Sequence, residues 1–258
     1  MPMPPERIQA LVADIEKLTA DQFDWVEQLV KAFGVPVSAR RGESSVFPDD
    51  RSLGLFALYL VTHHVLSSEP FKKEKFEYAL ERMLAAIGRT VTRPTSRTNP
   101  GLDLTVDGQG WSLKSEAQKG IRADTAHISK WMELGKGKWE NEDDLRGLCD
   151  GFLAHLGGYS RIFIIRCLTP EDPVEHHYEI IELPKAILLG CKTAGVFAMM
   201  GQSKQIPKPG YCRVSDAAGL LYELYFDGGT ERKLRLQKLR RDACLFHAEW
   251  RFRTPGPS

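Results

Sequence analysis

The chain has 258 residues, 42% of them hydrophobic, with 35 basic against 34 acidic side chains and a net charge of +1. That length supports a sizeable buried core, while the near-neutral balance excludes an all-over electrostatic affinity for nucleic acid or membrane, so any DNA contact has to come from local clustering. Cys149, Cys167, Cys191, Cys212 and Cys244 are odd in number and form no CxxC pair, which argues against a disulfide framework or a zinc knuckle and for a reducing compartment.

Met1 to Glu6 carries Pro and charge where a signal sequence would carry an apolar run, and no window approaches 18 uninterrupted apolar residues, so a cytoplasmic protein is expected. From Pro5 to Phe33, apolar residues at helical spacing (Ile8, Leu11, Ile15, Leu18, then Phe23, Val26, Val30, Phe33) predict two helices, with Asp21 as the N-cap between them. Residues 36 to 50, rich in Pro, Gly, Ser and charge without periodicity, read as a connection. A helix over 53–66 follows, then an amphipathic one carrying Phe76, Ala79, Leu80, Met83 and Leu84 and ended by Gly88, along which lie Glu74, Glu77 and Glu81.

The period then changes. Leu102, Leu104 and Val106 alternate, Asp107-Gly108-Gln109-Gly110 is turn chemistry, and Trp111, Leu113 and Ser115 alternate again, which predicts a β-hairpin. Helices are expected over about 125–134 and 142–156, strands over 161–168 and 178–183, and a short helix over 185–193. Near the C-terminus, Leu220, Tyr222, Leu224 and Phe226 alternate up to Asp227-Gly228-Gly229, and Leu234 and Leu236 alternate after it, a second hairpin. The expected fold is α/β: a mixed central sheet flanked by helices, holding the hairpin 102–116 and strand 161–168, with N-terminal helices and a C-terminal hairpin added. One domain over 1–258 is expected, with an N-terminal helical lobe and connection over about 1–50, a core over 70–195 and a C-terminal hairpin region over 196–258 that offers DNA contacts.

Hydrolysis of a phosphodiester needs a deprotonated water beside phosphorus and a means of neutralising charge on the phosphate and leaving oxygen, and a divalent metal held by carboxylates supplies both. Asp103, at the entry of the hairpin, and Lys114, on its second strand, are brought together by the turn between them. Side chains at 112, 114 and 116 share one strand face, so Glu116 points to the same side as Lys114.

Pro100-Gly101-Leu102-Asp103 followed by Ser112-Leu113-Lys114 resembles the PD-(D/E)xK nuclease superfamily, departing from it in having Ser112 where an acid belongs. Longer strings, Ser96-Arg97-Thr98-Asn99-Pro100-Gly101, Leu113-Lys114-Ser115-Glu116-Ala117, the run from Ser129 to Gly137, Gly201-Gln202-Ser203-Lys204-Gln205, and Tyr225-Phe226-Asp227-Gly228-Gly229, resemble type II restriction endonucleases of the SmaI type over roughly residues 20 to 250. The resemblance implies a Mg²⁺-dependent homodimer that cuts double-stranded DNA at a palindrome, CCCGGG with blunt ends, alongside a cognate DNA methyltransferase. It also implies catalytic residues Asp103, Lys114 and Glu116, and a metal held by Asp103, the Leu113 carbonyl and either Glu116 or Glu77, with Glu74 and Glu81 as alternatives on the same helix. The short motif alone equally permits a repair-type nuclease without sequence recognition, and the serine at 112 a decayed, purely DNA-binding relative.

Guanines are read by Arg or Lys reaching O6 and N7, which makes Arg97, Arg122, Lys130, Lys204, Lys208, Arg232 and Lys233 the candidate DNA contacts. Arg232, Lys233, Arg235, Lys238, Arg240 and Arg241 form a basic stretch that reads either as a phosphate-binding strand or as a solvated edge strand guarded by charge. The pairs His63-His64 and His176-His177 have no third ligand at a recognisable spacing, and no glycine loop has nucleotide-binding form.

Overall fold

The computed structural model describes residues 3–94 and 101–254. A seven-stranded sheet forms its centre, in the order β1 (Val37–Arg41), β12 (Leu245–Arg253), β7 (Glu175–Glu182), β6 (Arg161–Cys167), β4 (Gln109–Glu116), β3 (Leu104–Val106) and β2 (Val91–Thr92). β4 and β6 run parallel, while the other pairs in this sheet are antiparallel. A second, five-stranded antiparallel sheet follows the order β5 (Thr125–Glu133), β11 (Lys233–Arg240), β10 (Gly219–Phe226), β9 (Gly210–Asp216) and β8 (Val196–Met199).

Alternation along the central strands sends apolar side chains to two cores. Phe163 and Ile165 of β6, with Trp111 and Leu113 of β4, pack into one core beneath α3 (Asp50–Leu66) and α4 (Lys73–Ala86). Ile162 and Ile164 point the other way, into a core shared with α5 (Glu142–Leu156), α6 (Lys185–Ala194) and the second sheet. The period of 2 in a strand dictates this division, and it leaves Ser112, Lys114 and Glu116 on the side of the second core.

The α/β class holds, as do helices α3 to α6 and both hairpins, with several differences in detail. The N-terminal helices α1 (Pro5–Ile15) and α2 (Ala20–Phe33) are separated by residues 16–19, and α2 is capped by Thr19, not Asp21: the Thr19 side chain accepts from the Gln22 amide in a capping box. The expected connection at 36–50 contains β1, an edge strand whose mostly exposed side chains carry no hydrophobic alternation and whose partner, β12, lies more than 200 residues along the chain.

Residues 125–134, expected to be helical, form β5. Its buried Ala126, Ile128 and Trp131 stand at spacings of two and three because the register against β11 shifts: Ile128 faces Leu236, yet Met132 faces Leu234. Such irregularity makes a strand imitate helical periodicity. The basic stretch, β11, is not an edge strand either but is paired on both sides, with β5 and β10.

Candidate active site

The site lies at the start of β3, which pairs with β4 over Leu104–Val106 and Gln109–Trp111. Asp103 immediately precedes β3 and is tied to β4 through its own amide, which donates to the Trp111 carbonyl at 2.9 Å. Its Oδ2 accepts from the Leu113 amide at 2.6 Å and lies 3.4 Å from the Ser112 hydroxyl. Its Oδ1 accepts from the Lys73 ammonium at 2.8 Å. Lys73 begins α4 and also lies 3.4 Å from Glu77 Oε1, one helical turn on, so α4 brings a second carboxylate to Asp103. Burial raises the Glu77 carboxyl above its ordinary range, an effect that Lys73 partly offsets. The same burial opposes the charge of Lys73, but Asp103 and Glu77 hold its pKa above the usual value.

Lys114 follows Leu113 directly and is only 6% exposed. Its ammonium lies 5.4 Å from the ring centre of Trp131 on β5. Burial first, and then the neighbouring Lys73, lower its pKa to about 8, against the attraction of Asp103 and Glu77. Trp131 in turn donates from its indole to the Tyr159 hydroxyl at 3.1 Å.

Glu116 is placed differently from its neighbours on the strand. Its carboxylate accepts from the fully buried Arg166 at 2.5 Å, from Gln118 at 2.9 Å and from the His127 amide at 2.9 Å. Arg166 sits opposite Glu116 on β6, and opposite Glu179 on β7, which it also contacts at 2.5 Å. The expected ligand is therefore committed to a buried ion pair. Glu81, a further alternative, pairs with Arg93. Among the described residues no three His, Cys, Asp or Glu side chains converge as a metal-binding group.

Sequence reasoning missed Lys73, which the hairpin motif does not contain, and His155. The latter packs from α5 against Gly101, whose positive φ of 79° and lack of a side chain allow the contact: a Cβ there would come within 2.5 Å of His155 Nε2. Burial and then Lys114 lower the His155 pKa. A histidine one helix away from the hairpin leaves no spacing signal.

Residues 11–252 match the family model SmaI, described as type II site-specific deoxyribonuclease. Over 242 residues the chain is 40% identical to the type II restriction enzyme SmaI of Serratia marcescens, covering 93% of this chain and 95% of that protein. The chain belongs to this family of type II restriction endonucleases. No solved structure matches it. The endonuclease acts on DNA, and no helix among its described residues is long and apolar enough to cross a membrane.

The candidate DNA contacts of this endonuclease fall into three groups. Arg97 lies outside the described residues. Arg122, Lys130, Lys233 and Arg232 sit on or beside β5 and β11 with partners within the chain: Asp124, Glu133, Glu231, and the Lys136 and Gly137 carbonyls respectively. Lys204 and Lys208, in the segment that links β8 to β9, line an open cavity together with Lys138 and Trp139. The rest of the basic stretch is likewise engaged: Arg235 with Asp227, Lys238 with Glu223, Arg240 with Asp216, and Arg241 with Glu179.

Proposed function

We propose that this restriction endonuclease cuts both strands of double-stranded DNA at CCCGGG, leaving blunt ends, with Mg²⁺ as cofactor and Asp103 and Lys114 at the centre of the site. The observation that carries the reading is the juxtaposition of two carboxylates, Asp103 and Glu77, around a single cationic position beside a buried lysine. A position bounded by hard oxygen donors fits Mg²⁺, which is commonly held by one or two carboxylates and keeps several waters. The Leu113 carbonyl is the third donor, because the amide and carbonyl of one strand residue point to the same side, and the Leu113 amide already faces Asp103. A magnesium ion bound there supplies a water of lowered pKa and charge neutralisation on the phosphate.

Lys114, still mostly an ammonium at neutral pH, orients the attacking water and stabilises the charge that develops on the phosphoryl oxygens. Its burial beneath Trp131 limits competition from bulk water and strengthens that interaction. Asp103 is held in place through one oxygen by the Leu113 amide, which leaves the other for the cation. Ser112, whose hydroxyl lies at 3.4 Å from Asp103, has no necessary part in the chemistry. Glu116 serves the site by fixing Arg166 behind β4.

A palindrome asks for two copies of the chain, and α1, which buries none of its residues, together with exposed Phe23, Trp25, Val30 and Phe33 of α2, offers apolar surface for a homodimer. A cognate methyltransferase protecting the same sequence completes the system. Incubation of a plasmid carrying one CCCGGG site with magnesium tests the reading: a single linear product with blunt ends is expected, whereas nicks or a smear would assign the structure-selective activity of a repair nuclease, and binding without cleavage a decayed enzyme.

A further inference from the structure

The oxygen of Asp103 that remains for a metal ion is the one that Lys73 already holds. Oδ2 is taken up by the Leu113 amide, and Oδ1, facing away from the strand, receives the Lys73 ammonium at 2.8 Å. The same ammonium reaches Glu77 Oε1 at 3.4 Å, so it bridges the two carboxylates as a cation would. Lys114, packed beneath Trp131, forms no ion pair with either carboxylate among the described residues, whereas Lys73 pairs with both. The Lys73 side chain is 40% exposed and stands at the first residue of α4, so it can leave without disturbing the core.

We propose that Lys73 is an exchangeable internal cation: it occupies the position between Asp103 and Glu77 when no divalent ion is bound, and a divalent ion must displace it to reach both carboxylates. The proposal rests on the reading of Asp103 and Glu77 as the carboxylates of the cation site. Two positive charges cannot share one gap between two carboxylates, because the second gains no unpaired anion and meets a like charge at close range. Lys73 is thus a positioning residue that keeps the carboxylates paired in the free enzyme and sets a threshold for metal entry.

Isothermal titration of Ca²⁺ into the DNA-free protein tests this without cleavage as the readout, with thermal unfolding of each variant run alongside. Lys73→Gln removes the competitor and is expected to bind Ca²⁺ about threefold to fivefold more tightly than the native chain, the ratio that a partly exposed ion pair supports. Lys73→Arg, which keeps the charge, is expected to stay close to the native value. A role of Lys73 in merely holding the helix start would make the glutamine variant bind more weakly. Unchanged or weaker Ca²⁺ binding by Lys73→Gln, with binding lost in Asp103→Asn, overturns the proposal and leaves the site reading standing. Native-like binding by Asp103→Asn overturns the site reading, and this proposal with it.

Discussion

Replacement of Glu116 by Gln separates a metal ligand from a structural carboxylate. In the structure Glu116 is one half of a buried ion pair with Arg166, whose side chain has no exposed surface. Removing one partner of such a pair costs about 3 to 5 kcal/mol when it strands the other charge. Here Arg166 keeps Glu179 at 2.5 Å and the carbonyls of Arg122, Ala123 and Thr125, and glutamine retains one acceptor, so the expected loss is the smaller figure of about 2 kcal/mol. In a chain of this size that is a fall in Tm of roughly 4 to 8 °C. Thermal unfolding read by circular dichroism, with Ca²⁺ titration on the same preparations, measures both consequences. A lower Tm with unchanged Ca²⁺ affinity is expected. An unchanged Tm with Ca²⁺ binding abolished would refute the reasoning, because it would show the carboxylate open to the cation and Arg166 indifferent to it.

Other perturbations act at single points of the same scheme. Lys114→Met is expected to slow cleavage about a hundred- to thousandfold, the usual loss when one group stabilising developing charge is removed, while gel-shift affinity for a CCCGGG duplex stays within a few-fold; retained cutting would remove Lys114 from the chemistry. Ser112→Ala is expected to cleave at a native-like rate in the same assay, since its hydroxyl lies 3.4 Å from Asp103, whose Oδ2 keeps the shorter bond from the Leu113 amide. Stability is expected to fall on acidification through His64 and His176, stacked at 3.7 Å, whose burial lowers their pKa values to about 2 and 4. Both stay neutral in the fold while the unfolded chain takes up protons below about 6.5, so stability present above that pH is lost beneath it, by about 2 to 3 kcal/mol between pH 7.5 and 5.5. Denaturant unfolding at the two pH values measures this drop, and a drop of the same size in the double variant His64→Gln, His176→Gln would assign it elsewhere.

The hairpin that carries Asp103 and Lys114 was legible because its alternation and its Asp107-Gly108 turn are local signals, and so were α4 and the placement of Glu77 upon it. What the sequence could not show depends on contacts distant along the chain. Lys73 meets Asp103 across 30 positions, and Glu116 meets Arg166 across 50. Face-sharing along β4 correctly puts Glu116 on the side of Lys114, yet only the neighbouring strand decides whether that carboxylate is open or paired. The helical reading of β5 failed for a related reason: a register shift set by β11 altered a spacing that, read alone, was that of a helix.

β5 joins strand β4 to the second sheet. Its His127 amide holds Glu116, and its Trp131 covers Lys114, while its other edge pairs with β11. Behind it, Arg241, which directly follows β11, contacts Glu179, which contacts Arg166, which contacts Glu116, so alternating charges run from the second sheet through β7 and β6 to β4. Such a buried chain is weak evidence for added stability, because desolvation offsets most of its attraction. Its geometric effect is firmer. Arg166 has its carboxylate partners on two strands, Glu116 on β4 and Glu179 on β7, so a relative shift of those strands would break charged contacts. Of the basic residues around β5 and β11, Lys130 and Lys233 pair with Glu133 and Glu231, whereas Arg232 donates to the Lys136 and Gly137 carbonyls, so among these three a phosphate would have a carboxylate to displace at the two lysines and none at the arginine.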